Sequence, residues 1–429
     1  MTDLDIVVPI GGLAPLVRPN LLTVEGLRAW ADTRGALDKQ PLLPYEFYQR
    51  MTTQERRRYD RRRQTTNANI DVIETPMGDA VSAALEDGIW MNAQSAQPGA
   101  KPGFMVNGGG AQGKTATVLA VVANFMEEWL DEHDLPLEPG GQRNAHEPVL
   151  YVRTPDKPTP KGICRAILKA VGEPYLPGDG FDSLQRTVHD VLVSLGVRVL
   201  VLDDITRIKM HRLDDQVVLD LIRSLMDSGA TLVLVGVGIP ASGLLREGGP
   251  ADGLSDTQVH LQPGRKRLRR LAAEDDDEKT QTERRFTLLH VRNFSYTTPE
   301  QMEEWTTFLV GIAHQLRLYG VDHTNLLRDG LPEYLFRRTG GVVGSLVQLV
   351  VKASRKAMQN RDPETGLELI TREILDSITI DFGGEDGRIP EAGEVPDIPQ
   401  HRPRASRASG RPRSTALDDK HGQRPATGT

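Results

Sequence analysis

The chain has 429 residues, room for two to three domains, and its 52 Lys+Arg against 59 Asp+Glu give a net charge of −7. That balance excludes a wholly basic nucleic-acid coat but leaves room for local basic patches. The single cysteine, Cys164, excludes a disulfide framework and a cysteine-based metal site, and no apolar run approaches the roughly 18 residues of a membrane span. The acidic start Met1-Thr2-Asp3-Leu4-Asp5 lacks the basic-then-apolar pattern of a signal peptide, so a cytoplasmic protein without membrane contact is expected.

Residues 1–70 read as an N-terminal extension. Pro9, Pro15, Pro19, Pro41 and Pro44 punctuate short apolar pieces, with helical spacing over Leu22–Thr33. The run Glu55-Arg56-Arg57-Arg58-Tyr59-Asp60-Arg61-Arg62-Arg63 puts six arginines in nine residues on an expected helix. It reads either as a solvated helix or as a phosphate-binding arm.

Residues 71–298 read as one α/β unit. Helices are expected over Met77–Asn92, Thr115–Leu130, Lys161–Val171, Leu184–Leu195 and Leu213–Asp227. Between them lie apolar strands at Phe104–Asn107, Val149–Val152, Val197–Leu202, Thr231–Val237 and Phe286–Val291. Strands alternating with helices of this length predict a parallel sheet covered on both faces. About 243–283 the rhythm breaks into glycines, a basic knot (Arg265-Lys266-Arg267, Arg269-Arg270) and an acidic one (Glu274–Glu278), the composition of a mobile insertion. Helices over Glu300–Tyr319, Asn325–Arg338, Val342–Gln359 and Thr371–Ile380 define an all-helical unit at 299–382. Residues 383–429 are Gly-, Pro-, Arg- and Ser-rich and read as a disordered basic tail. From His401 the tail sets seven Lys and Arg against Asp418 and Asp419, as a solvated tail or as one that holds phosphates.

Gly108-Gly109-Gly110-Ala111-Gln112-Gly113-Lys114-Thr115 fits the phosphate-loop pattern G-x-x-x-x-G-K-[ST] without a mismatch, after an apolar strand and before an amphipathic helix. Glycines let successive backbone N–H groups turn toward phosphate oxygens, and the helix N-terminus adds partial positive charge. Lys114 is expected on the β/γ-phosphates of ATP and Thr115 on Mg²⁺. The run Val199-Leu200-Val201-Leu202-Asp203-Asp204 supplies a buried strand ending in carboxylates where α/β sheets bind ligands. Asp203 is expected to hold Mg²⁺, and Asp204 to orient or activate the attacking water.

The order of phosphate loop, two-carboxylate strand, apolar strand, Arg284-Arg285-Phe286 and a helical lid carrying Thr339-Gly340-Gly341-Val342-Val343-Gly344 resembles AAA+ ATPases. Within them it resembles the TniB/TnsC family of transposition ATPases, as do the stretch from Tyr48-Gln49-Arg50-Met51-Thr52 to Arg63 and Glu74-Thr75-Pro76. The resemblance implies a five-stranded AAA+ core with a helical lid. It also implies ATP-dependent homo-oligomers on double-stranded DNA that select a target and recruit or activate a transposase. Arg285 falls on the arginine that AAA+ proteins insert into a neighbour's site, with Arg246 as its competitor. The alternatives left open are a replication loader or initiator, and a nucleotide-gated adaptor with little hydrolysis.

Three departures point to slow turnover. Asp204 stands where most of these proteins have Glu. Val235-Gly236-Val237-Gly238 ends its strand without a polar sensor. Ser345 stands near the position of a phosphate-sensing arginine, for which Arg337 or Arg338 is the substitute. The ten histidines show no metal-ligand spacing.

Overall fold

The computed structural model describes residues 19–34, 39–133, 146–156, 159–205, 213–239, 285–320, 322 and 324–385. The insertion expected at 243–283, Arg246 and the expected tail beyond Glu385 lie outside the described residues, while residues 383–385, expected in that tail, lie in a short helix tied to Arg338.

Five parallel strands, β1 (Gly103–Asn107), β2 (Val149–Arg153), β3 (Val199–Asp203), β4 (Thr231–Gly236) and β5 (Phe286–His290), form one sheet in the order β2-β3-β4-β1-β5. Each strand alternates its side chains between two cores. Leu150, Leu200, Leu202, Leu232 and Leu234 face one side with Met105, while Val149, Val199, Val201, Val233 and Val235 face the other with Phe104 and Val106. The strands are apolar throughout because both faces are covered. On the leucine side lie α6 (Pro160–Ala170), α7 (Phe181–Ser194) and α8 (Leu213–Met226); on the valine side lie α4 (Pro76–Gln94) and α5 (Lys114–Glu132).

The lid consists of α9 (Pro299–Gln315), a 3-10 turn (Asn325–Leu327), α10 (Leu331–Thr339), α11 (Val343–Gln359), α12 (Arg372–Asp376) and the short α13 (Phe382–Glu385). It has its own core around Trp305, Leu309, Leu335, Leu346 and Leu349. Three helices open on the same dipeptide: Thr75-Pro76, Thr159-Pro160 and Thr298-Pro299 each place a threonine whose hydroxyl caps a backbone N–H, followed by a proline that lacks one.

The helix expected to reach Tyr319 stops at Gln315. Asn67 Oδ1 takes the N–H of Arg317 at 2.7 Å and Glu368 Oε2 that of Tyr319 at 2.9 Å, so these amides bond outside the helical ladder. The helix expected over 325–338 breaks at Asp329 and Gly330, both left-handed at φ 53° and 72°. The one expected to reach Ile380 ends at Asp376.

Before the sheet, α1 (Val24–Thr33) packs Leu27 and Ala31 onto the valine-side core and pairs Arg28 with Glu147 at 2.8 Å, both side chains 4% exposed. α2 (Tyr45–Arg50) and α3 (Thr53–Ala68) pack on the lid instead. The expectation that the α3 arginine run is solvated or faces phosphates is corrected at Arg63. This side chain is fully buried, bonded to both oxygens of Glu368 at 2.7 and 3.0 Å and enclosed by Tyr48, Tyr59 and Tyr319. Arg56 is also turned inward, onto the Tyr48 carbonyl at 3.1 Å, and Arg62 reaches Gln40 Oε1 at 3.4 Å. No described helix is long and apolar enough to cross a membrane.

Candidate nucleotide site

The loop joining β1 to α5 is Gly108–Gly113. Ala111 at φ 56° and Gly113 at φ 88° turn it through left-handed backbone, and the Gly108 N–H anchors its start on the Gly236 carbonyl of β4 at 3.3 Å. Gly108 must lack a side chain because a Cβ there would meet the Val291 backbone carbonyl at 2.7 Å. The same Cβ would meet Gln112 Oε1 at 2.5 Å. Gln112 Oε1 accepts the Gly109 N–H, and its Nε2 donates to Asn293 Oδ1 at 2.6 Å, on the connection from β5 to the lid. A second link to the lid is the Gly344 N–H, at the start of α11, donating to the Ala111 carbonyl at 2.9 Å.

Lys114 is buried and its Nζ donates to the Gly109 carbonyl at 2.5 Å. Burial pulls its pKa below the usual lysine value, and the charges of Asp203 and Asp204 oppose that shift. The structure brings the Thr115 hydroxyl to Asp203 Oδ2 at 2.9 Å, joining residues the sequence placed on separate elements. Asp203 is 6% exposed at the end of β3 and takes two further bonds, from the Tyr151 hydroxyl at 2.6 Å and from the Asp204 N–H at 2.8 Å. A hydroxyl and a carboxylate are hard oxygen donors suited to Mg²⁺, which keeps several waters and needs few protein ligands. Among the described residues no cluster of three or more His, Cys, Asp or Glu offers a different metal site.

Asp204 sits at φ 59°, a left-handed conformation uncommon outside glycine, at the sheet's C-terminal edge. Its Oδ2 accepts from Arg153 Nε at 2.8 Å, with the two side chains 37% and 55% exposed. Tyr151 and Arg153 were not singled out from the sequence. The signal for them was the parallel register: β2 and β3 each end in a charged residue, and pairing Arg153 with Asp203 sets Tyr151 against Val201. Burial, followed by the hydrogen bond to Asp203, raises the Tyr151 pKa and keeps its hydroxyl a donor.

Arg285 immediately precedes β5, whose Phe286 pairs with Gly103 at the beginning of β1, while the phosphate loop leaves the other end of β1. About 3.3 Å per residue separates them by roughly 15 Å, so Arg285 does not reach its own chain's loop. Ser345 is buried and donates to Asp381 Oδ2 at 2.5 Å. Arg338 as a substitute phosphate sensor is corrected. It is fully buried and holds the end of the lid through the Ile378 carbonyl at 2.8 Å, the Gly384 carbonyl at 3.1 Å and Glu385 at 2.5 Å. Arg337 pairs with Glu333 on its own helix at 2.5 Å.

A parallel sheet in this order, a phosphate loop facing a strand-end carboxylate, and a helical lid bonded to that loop define the AAA+ class of P-loop ATPase folds. Residues 65–243 match the family model TniB, described as "Bacterial TniB protein". No curated protein matches the chain. Among solved structures, it is similar to the Aeropyrum pernix ORC2 protein, with 14% identity, 73% of this chain and 70% of that one covered, and a TM-score of 0.44. The Aeropyrum pernix ORC1 protein in complex with DNA gives 16% identity, 73% and 68% coverage and a TM-score of 0.47. AMPPCP-bound DnaA from Aquifex aeolicus gives 13% identity, 68% and 65% coverage and a TM-score of 0.35.

Proposed function

We propose that the protein binds Mg-ATP, assembles as a homo-oligomer on double-stranded DNA in an ATP-dependent way, and regulates transposition by presenting a target and activating a transposase. The observation that carries the nucleotide part is the joining of Lys114, Thr115 and Asp203 around one loop. On binding, the backbone N–H groups of residues 110–115 take the phosphates, and Lys114 exchanges the Gly109 carbonyl for β/γ-phosphate oxygens. Thr115 and Asp203 would hold Mg²⁺, with Tyr151 fixing the carboxylate, and the ion would supply positive charge beside the phosphates. Asp204 orients the attacking water once it parts from Arg153. The remote position of Arg285 suits a residue that serves a neighbouring subunit, so that nucleotide bridges two copies.

The TniB match supports the transposition role. A second reading, a nucleotide-gated adaptor that hydrolyses little, is favoured by one observation: Asp204 is occupied by Arg153. Binding of a fluorescent ATP analogue and phosphate release, each with and without duplex DNA, test the proposal. Wild type should bind and turn over slowly, and Lys114→Ala should lose tight binding. Near-normal ATP affinity in that variant would refute the site. Turnover at background with intact binding would select the adaptor.

A further inference from the structure

We infer that Arg57, Arg58 and Arg61, on the outward face of α3, form a surface for the phosphate backbone of duplex DNA, and that the lid carries this surface. The inference rests on the DNA-assembly reading above and names where the contact lies.

Helix α3 has two faces. Tyr59, Arg63, Thr66 and Asn67 are buried, while Gln54, Arg57, Arg58 and Arg61 are exposed at the i, i+3, i+4, i+7 spacing of the opposite side. The helix's own carboxylates are drawn away from the arginines. Glu55 closes a capping box on Thr52 and attracts Arg58 only through space. Asp60 points to the inner cluster, accepting from Arg63 at 2.5 Å and from the Tyr48 hydroxyl at 2.9 Å. Among the described residues, Arg57 and Arg61 have no ion-pair partner.

The face suits a phosphate chain better than a protein. It holds no apolar or aromatic anchor of the kind that dominates protein interfaces. At 1.5 Å rise per residue, Arg57 and Arg61 lie about 6 Å apart along the axis, and phosphates recur every ~3.4 Å of axis on each DNA strand. Guanidiniums are the better fork for such oxygens.

The inner face binds α3 to the lid through Arg63–Glu368 and through Asn67 on the Arg317 amide. The lid in turn touches the phosphate loop through Gly344 and Ala111. A loop rearranged around nucleotide therefore displaces the arginine face together with the lid.

The test uses the full chain with a slowly hydrolysed ATP analogue and a labelled duplex, read by anisotropy across a salt series. Replacing Arg57, Arg58 and Arg61 by glutamine should lower the slope of log K against log salt by about 2.7. This follows from three contacts at about 0.9 each, and single variants should each remove about 0.9. Nucleotide affinity should not change, and the thermal transition should stay put because these side chains are exposed. A wild-type slope in the triple variant, or a loss of ATP affinity with it, overturns this surface while leaving the assembly reading intact. A wild type that binds no duplex with ATP, with ADP or without nucleotide overturns both.

Discussion

Arg153→Ala should accelerate turnover. Arg153 and Asp204 are 55% and 37% exposed in their ion pair, and pairs this open are worth about 0.2–1 kcal/mol. With RT near 0.59 kcal/mol, that range leaves Asp204 free between about two-fifths and one-sixth of the time. If only free Asp204 positions water, releasing it raises kcat about two- to sixfold. The affinity for ATP, which depends on Lys114, Thr115 and Asp203, should not move. Salt should narrow the gap, because it screens the exposed pair in the wild type and has nothing to screen in the variant. Steady-state phosphate release at saturating ATP, over a salt series, reads both effects. Unchanged kcat would show that the pair does not compete with catalysis. A tenfold fall at constant affinity would show that Arg153 itself acts on the phosphates.

Asp204→Asn should retain nucleotide and stay assembled while phosphate release falls to background, as followed by turnover and sedimentation together; parental turnover would remove Asp204 from the chemistry. Arg28→Met should cost about 3–5 kcal/mol in urea unfolding, because Glu147, whose pKa is already raised by burial, loses the guanidinium beside it; a loss under about 1 kcal/mol would mean that α1 is not fixed by this pair. His146 has a lowered pKa, first through burial and then through Arg198, His133 and Arg28, and its Nε2 accepts from the Trp129 indole at 3.0 Å. The unfolded chain therefore binds the proton more readily, and stability present above about pH 6.5 is lost as pH falls below it. His146→Asn should flatten that part of the pH–stability curve relative to wild type, and identical slopes would contradict this.

The sheet was legible because its strands are short apolar runs, alternating Val and Leu in β3 and β4, set between helical patterns. The phosphate loop was legible because its residue types have no packing use in that order. Asp203 followed as the first carboxylate after Val199–Leu202. Arg63 and Arg338 were not legible. Buried arginines need partners, and Glu368 lies 305 residues from Arg63, so nothing near it in sequence separates it from the exposed Arg61. The early end of α9 has the same origin: its amides are taken by Asn67 and Glu368, from segments distant in the chain. Tyr151 resembles an ordinary core aromatic until the register of β2 against β3 turns its hydroxyl toward Asp203.

Sedimentation velocity of wild type and Arg285→Ala, each with a slowly hydrolysed ATP analogue and with or without duplex DNA, tests ATP-driven assembly most directly. The wild type should form oligomers with the analogue that grow on DNA and dissociate in ADP, whereas Arg285→Ala should bind the analogue and remain small. One species, unchanged by nucleotide or DNA in the wild type, would contradict the assembly mechanism at its root.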